Sequence, residues 1–306
     1  MTAPNLRILT RRRFAIGVGI AVAALGFTAC APEKLLDSVS RIRGGDPARL
    51  AVDGAAYGAL PRQKLDVWVP RGKVAAPVPV VVFFYGGGWD SGTRSGYGFA
   101  ARAFAARGFV VIVPDYRLFP EARFPAFVDD GARAVRWARD HAADHGGDPT
   151  RILLMGHSAG AHIAALLALD RHYLADAGVD AGAIKGAALL SGPYDFYPFT
   201  ETRARNALGD WPRPAETQPI SFARRDAPPL LLMHGTADTV VRPYNSENLA
   251  ARLQRVGAPV ELKLYPGKSH IDTIKSLSPL FRNSTPAFDN SLAFLRRHAA
   301  LPTSRP

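Results

Sequence analysis

Cysteine is almost absent from this 306-residue chain, in which Cys30 stands alone. A single thiol excludes an intramolecular disulfide framework and a cysteine-based zinc site, since either needs at least two thiols in one chain. Long hydrophobic runs are also missing. The longest apolar stretch, Phe14 to Ala29, is interrupted by Gly17, Gly19 and Gly26 and falls short of the roughly 20 apolar residues that a membrane span needs. The chain holds 28 Gly and 25 Pro without any repeat, which excludes collagen-like and low-complexity architectures. Acidic residues are the scarcer sign, 26 against 38 Lys and Arg, for a formal charge of +12. No basic run is interleaved with aromatics, so the excess does not point to nucleic acid. What remains, 47% hydrophobic and 21% charged residues, is ample for one large globular domain or two smaller ones.

Arg7, Arg11, Arg12 and Arg13 precede the apolar stretch, the order of a basic region followed by the hydrophobic core of an export signal. Thr10 to Phe14 resembles a twin-arginine signal. Phe27-Thr28-Ala29-Cys30-Ala31 resembles a bacterial lipobox, which would make Cys30 a lipidated residue attached to a membrane; soluble export and an uncleaved anchor are the other readings. Residues 1–29 are therefore expected to be an export signal, 30–61 a linker with loops leading into the domain, and 62–300 the domain itself.

Within that domain, Leu65 to Val69, Val78 to Phe84, Phe109 to Val113, Ile152 to Met155, Ile184 to Leu190, Leu230 to Met233 and Val260 to Tyr265 have strand length and β-branched content. Helical stripes lie between most of them, among them Phe99, Ala103 and Phe104 before Gly108, and Leu249, Leu253 and Val256 before Gly257. This alternation predicts an α/β fold with a mostly parallel sheet covered on both faces. Reactive groups in such sheets collect at the carboxyl ends of the strands.

The chemistry-bearing residues fall at those ends. The strand ending at Met155 runs into Gly156-His157-Ser158-Ala159-Gly160 and then a helical segment from Ala161 to Leu169. A strand-to-helix turn that tight demands small residues around a projecting serine, which makes Ser158 the candidate nucleophile. A hydroxyl needs a base, and the base needs a third group to hold its tautomer. Asp238 follows the strand Leu230 to Met233, and His270 follows the strand Val260 to Tyr265, giving the chain order Ser, Asp, His. Asp195 and Asp272 are the fallback acids. His157 and His162 read as packing residues, and His234 as a brace for the turn it precedes. Tyr85-Gly86-Gly87-Gly88-Trp89 follows the strand ending at Phe84 and lacks the Lys-Ser/Thr ending of a phosphate loop. Its backbone amides and that of Ala159 are candidate donors to an oxyanion.

These residues resemble a known family, the α/β-hydrolase carboxylesterases with a glycine-rich oxyanion loop, over roughly Gln63 to His298. The likeness is nearest to the branch containing isoprenylcysteine methylesterases, with similarity to kynurenine formamidases and other small bacterial esterases. It rests on Tyr85 to Trp89, Pro114-Asp115-Tyr116-Arg117-Leu118-Phe119-Pro120, Gly146-Gly147-Asp148-Pro149, Gly156 to His162, His234-Gly235-Thr236-Ala237-Asp238 and Tyr265-Pro266-Gly267-Lys268-Ser269-His270. The resemblance implies Ser158, Asp238 and His270 as catalytic residues and the amides of Gly87, Gly88 and Ala159 as the oxyanion hole. Tyr85 departs from the histidine that many lipases of this class place there. Asp115, Tyr116 and Arg117 read as ties between the oxyanion loop and the nucleophile turn. Tyr194, Phe196, Tyr197, Phe199 and Trp211 fall between Ser191 and Pro229, where such hydrolases insert at most a small cap here. Trp89, Tyr194 and Phe196 are the candidate substrate contacts.

The expected activity is hydrolysis of a small-molecule carboxylic ester through an acyl-enzyme, without metal or cofactor. Amide, formamide or peptide hydrolysis by the same triad is the first alternative. A non-catalytic hydrolase-fold binding protein is the second.

Overall fold

Valine and isoleucine runs too short for helices and too apolar for a solvated face form the centre of the molecule. A computed structural model describes residues 36–38, 45–72 and 74–299; the expected export signal and Cys30 lie outside them. Among the described residues one eight-stranded sheet has the order β1-β2-β4-β3-β5-β6-β7-β8. Its first strands and helix are β1 (Ala48–Ala56), β2 (Lys64–Pro70), β3 (Val78–Phe84), α1 (Gly98–Ala105) and β4 (Val110–Pro114). Next come α2 (Ala126–His141), β5 (Gly147–His157), α3 (Ala159–Leu169), α4 (Arg171–Asp176) and β6 (Ile184–Leu190). The chain continues through α5 (Thr202–Leu208), β7 (Leu230–Gly235), α6 (Tyr244–Arg255), β8 (Val260–Tyr265), α7 (His270–Lys275) and α8 (Ala287–Ala299).

From β4 onward along the sheet the neighbours are parallel, whereas β2 runs antiparallel to both β1 and β4. The chain moves from β3 outward to β4 and then back across β3 to β5. Right-handed crossovers in opposite directions place α1 and α2 on opposite faces. With α2 goes α3: a Cβ on Gly131 would stand 2.9 Å from Ile163 and 3.1 Å from Leu167. With α1 goes α8, whose Phe288 ring lies 5.5 Å from that of Phe104. Both faces are thus covered, as the alternation of strands and helices predicts.

Residues 30–61 are more than linker and loops. Ala48–Ala56 is an edge strand paired with β2, and it hid in the sequence because its alternation breaks twice, with register shifts between Leu50 and Val52 and between Val52 and Ala55. Gly54 sits at φ +74° in the second irregularity, and its amide donates to Asp66 Oδ1 at 3.0 Å. Long-range pairing, not local pattern, makes this strand. Gly108 and Gly257 take the left-handed conformation expected after their helices, at φ +90° and +75°. No helix among the described residues is long and apolar enough to cross a membrane.

Candidate active site

The three strands β5, β7 and β8 end side by side in the sense that β6 alone separates the first two, and each delivers one reactive side chain at its carboxyl end. Ser158 follows β5 directly, at φ +53° and ψ −122°, a backbone conformation that costs a non-glycine residue of order 1–3 kcal/mol. Close packing on both sides enforces it. A Cβ on Gly156 would lie 2.4 Å from Gly160 O, and one on Gly160 would lie 2.1 Å from Phe84 O. Neither position can carry a side chain while α3 starts this close to β3. Every residue of α3 is buried, so the helix is fixed in the core, and the serine it begins behind is held with it.

His270 opens α7 after the turn that follows β8. Its Nε2 is 2.9 Å from Ser158 Oγ and its Nδ1 is 2.8 Å from Asp238 Oδ2. A carboxylate facing Nδ1 fixes the proton on that nitrogen and leaves Nε2 as the acceptor for the serine hydroxyl. Asp238 is fully buried. Its Oδ1 accepts the amides of Val240 and Val241, each at 2.9 Å, and its Oδ2 also meets His234 Nε2 at 3.2 Å. Burial alone would raise this carboxyl, but the bonds from His234 and His270, the His270 charge and the Val241 amide outweigh it and hold Asp238 below the usual carboxylate range. The acid therefore stays ionised beside its histidine.

The glycine loop lies against the nucleophile turn. A Cβ on Gly86 would come within 2.7 Å of His157 Nδ1 and 3.1 Å of Ser158 Cβ. Gly87, Gly88 and Trp89 all have positive φ, at +136°, +58° and +61°, which aims successive amides to one side. The loop is closed by Asp90 and Ser91 amides on Gly87 O, at 3.2 and 3.0 Å. Ala159 begins α3, where its amide has no intrahelical acceptor. The glycine loop thus packs against the nucleophile turn through Gly86, and Ala159 follows Ser158 directly.

Tyr85 explains how the loop is braced without a histidine. Burial pushes its phenol well above the ordinary range, so the hydroxyl keeps its proton and donates it to Asp115 Oδ1 at 2.8 Å. Arg62 Nη2 donates to the same hydroxyl at 2.9 Å and to Gly92 O at 2.5 Å. Asp115 also takes the Arg94 amide at 2.7 Å and Arg94 Nη1 at 2.8 Å. Tyr116 stacks on Tyr85 with centroids 4.6 Å apart and donates to Tyr85 O at 2.8 Å. Arg117 grips the buried Asp130 through Nε and Nη2, both at 2.8 Å. Asp115 and Tyr116 tie into the glycine loop as expected, whereas Arg117 reaches α2, and among the described residues no hydrogen bond of the three runs to the nucleophile turn. Arg62 and Arg94 are the members the sequence does not reveal.

Against this geometry the relatives can be placed. The chain matches the BD-FAE family over residues 65–253, more than half its length. It belongs to the BD-FAE family. The isoprenylcysteine alpha-carbonyl methylesterase of Arabidopsis thaliana is 31% identical over 260 residues, 78% of this chain and 60% of that protein. Esterase LipC of Mycobacterium tuberculosis is 33% identical over 235 residues, 70% of this chain and 58% of that protein. The chain spans only about half to three-fifths of the length of these curated relatives. Among solved structures, the propionate-bound esterase 2 of Thermogutta terrifontis superposes with a TM-score of 0.64 at 27% identity, covering 80% of this chain and 92% of that one. A truncated carbohydrate esterase from gut microbiota gives 0.71 at 22% identity over 83% and 98%, a likeness of fold. The fold is that of the α/β-hydrolases.

In this BD-FAE chain the segment from Ser191 to Pro229 forms a small cap of α5 and two short 3-10 turns. It is pinned to α3 by His162 Nε2, 2.8 Å from Thr217 O. Of the candidate substrate contacts, Trp89 and Phe196 stack with centroids 6.0 Å apart, and His162 meets both rings edge-on at 5.3 and 5.7 Å. These two rings adjoin the glycine loop. Tyr194 is fully buried, with its amide bonded to Asn245 Oδ1 at 2.9 Å, which places it in the base of the cap. The fallback acids stand elsewhere: Asp195 accepts from Asn248 at 2.8 Å, and Asp272 closes a capping box with Ser269 at the start of α7. His157 and His162 are packed as expected, and burial lowers them to about 3 and about 4. No group of three or more His, Cys, Asp or Glu among the described residues could hold a metal ion.

Proposed function

We propose that this protein is a serine carboxylesterase that hydrolyses small-molecule esters through an acyl-enzyme. The observation that carries the reading is the unbroken chain from Ser158 Oγ through His270 to Asp238, at 2.9 and 2.8 Å. Ser158 Oγ attacks the ester carbonyl while its proton passes to His270 Nε2. Charge developing on the carbonyl oxygen meets the amides of Gly87, Gly88 and Ala159. The tetrahedral intermediate expels the alcohol, which takes the proton from His270. Water then enters, His270 accepts its proton, and its oxygen displaces Ser158 from the acyl group, releasing the acid and the free serine. Family membership and the similarity to named esterases support the ester as the bond cleaved.

Hydrolysis of p-nitrophenyl esters from acetate to dodecanoate, with Ser158→Ala alongside, tests this reading. Turnover that depends on Ser158 is the expected result. A folded protein that hydrolyses none of the series, or a Ser158→Ala variant as active as wild type, overturns it. We further propose that the protein is exported and held at the cell envelope through lipidated Cys30, a reading supported by the arginines and apolar stretch before Cys30. Mass spectrometry of the mature N-terminus tests it, and an unmodified Cys30 in the membrane fraction counts against it.

A further inference from the structure

Three arginines near the glycine loop and the cap are occupied. Arg62 and Arg94 serve the oxyanion-loop brace, and Arg123 binds Asn206 O at 2.7 Å and pairs with Asp210 at 2.8 Å. Arg203, on α5 of the cap, is different. It lies across the glycine loop so closely that a Cβ on Gly88 would stand 2.7 Å from its Cδ and 3.2 Å from its Nη1. The side chain is 61% exposed, and its Nε pairs with Asp90 Oδ2 at 3.1 Å. Asp90 is itself held in the loop, with Oδ1 buried and without a hydrogen-bond partner among the described residues. The carboxylate therefore anchors Arg203 by one nitrogen beside Gly88. The two terminal nitrogens meet no acceptor among the described residues. An anchored guanidinium with its outer edge open is shaped for two parallel hydrogen bonds to a carboxylate.

We propose that Arg203 is a specificity-determining residue, which binds an anionic group on the substrate and directs the enzyme toward esters that carry a carboxylate a few bonds from the scissile carbonyl, such as half-esters of dicarboxylic acids. The inference rests on the esterase reading and names the substrate class of that same site. Gly88 contributes its amide to the oxyanion and its bare Cα to Arg203, so the reacting carbonyl and the guanidinium flank one residue. A substrate held by both has its carbonyl oriented before attack. Asp90 fixes the guanidinium and weakens it, so the discrimination is that of a half-exposed ion pair, not of a buried one.

The test compares p-nitrophenyl hemiglutarate with the uncharged p-nitrophenyl pentanoate, in wild type, Arg203→Gln and Arg203→Lys. The ratio of their kcat/KM values is expected to fall about fivefold in Arg203→Gln, the upper range for an exposed pair, and by less in Arg203→Lys, which keeps the charge without the fork. Raising the salt concentration should lower the wild-type ratio and leave that of Arg203→Gln flat. A ratio unchanged by Arg203→Gln, including the case in which both substrates slow together, would mean that Arg203 only props the cap and overturns the proposal. Titration calorimetry with glutarate reads the same contact without turnover. Weaker binding to Arg203→Gln supports the proposal even if no ester is cleaved, and equal binding overturns it even if esters are.

Discussion

His234 Nε2 and His270 Nδ1 approach the same oxygen of Asp238, at 3.2 and 2.8 Å. Nε2 of His234 also meets Val241 O at 2.8 Å, and its Nδ1 meets Ser246 Oγ at 2.7 Å. With two acceptors in front of it, Nε2 carries the proton, and the serine hydroxyl supplies one to Nδ1. His234 is thus a positioning residue that loads the catalytic acid from the side away from the base. Replacing it with alanine removes one donor from a buried carboxylate and leaves Val241 O and Ser246 without partners, at a cost of about 1–3 kcal/mol per group. His234→Ala should lower kcat roughly tenfold and reduce stability by about 3 kcal/mol or more. His234→Gln, which can offer one donor to Asp238, should recover part of both, measured by ester hydrolysis and urea unfolding.

Glycine at the nucleophile turn is required for space, whereas at Gly178 it is required only for conformation. Gly160→Ala would put a methyl group 2.1 Å from Phe84 O, a backbone atom of a central strand that cannot move aside. Overpacking of this kind costs about 3 kcal/mol or more, and insoluble or unfolded protein is the expected result. Gly178, at φ +72°, has nothing within 4 Å of an added Cβ. Gly178→Ala should therefore cost only about 1 kcal/mol of backbone strain and leave activity intact. Equal effects in the two variants, read by thermal unfolding, would refute the distinction.

Stability should fall on mild acidification. Burial holds His157 and His162 at about 3 and about 4, against about 6.5 in an unfolded chain. Between those limits the unfolded state binds protons that the folded state does not, so the folded state loses stability as pH drops below about 6.5. Each residue contributes a loss of about 1 kcal/mol between pH 7 and pH 5.5. Asp238, lowered below its usual range, adds a further loss only once pH falls below about 4. Urea denaturation at the two pH values checks this. His162→Asn, which can still donate to Thr217 O, should flatten the dependence by about half.

The sequence is most informative where function and fold use local signals. The strands Val78–Phe84, Ile184–Leu190 and Val260–Tyr265 have the same bounds in the structure as in the pattern, the first two because buried parallel strands are nearly continuous apolar runs and the third because its apolar residues alternate with Glu261 and Lys263. Ser158, Asp238 and His270 were legible for a related reason: each lies directly after a strand or in the short turn that follows one. The edge strand β1 was not, since one side faces solvent and its register is broken at Val52 and Gly54. The brace of Arg62, Arg94, Tyr85 and Asp115 was only half legible. Asp115 sits in a recognisable segment, but the two arginines come from loops whose composition says nothing about the carboxylate they will meet, and only the folded sheet brings them together. Asp272 carries a local clue of its own, the Ser-x-x-Asp spacing from Ser269, which marks a helix cap in preference to a catalytic acid.

Tyr85 is the hub of that brace, and its hydroxyl tests whether the brace serves catalysis or only stability. It accepts from Arg62 and donates to Asp115, while its ring remains packed against Tyr116 and Tyr97, with centroids 4.6 and 5.6 Å away. Tyr85→Phe keeps the rings and deletes the two hydrogen bonds, one of them to a buried carboxylate. If the bonds hold the glycine amides in place, their loss weakens an interaction made with the transition state and not with the bound ester, so kcat and kcat/KM should fall together while KM stays near its wild-type value. The expected loss is about tenfold, below the 10²–10³ that follows removal of an oxyanion donor outright. A variant less stable by about 1–2 kcal/mol but with wild-type kcat would show that the brace supports the fold alone.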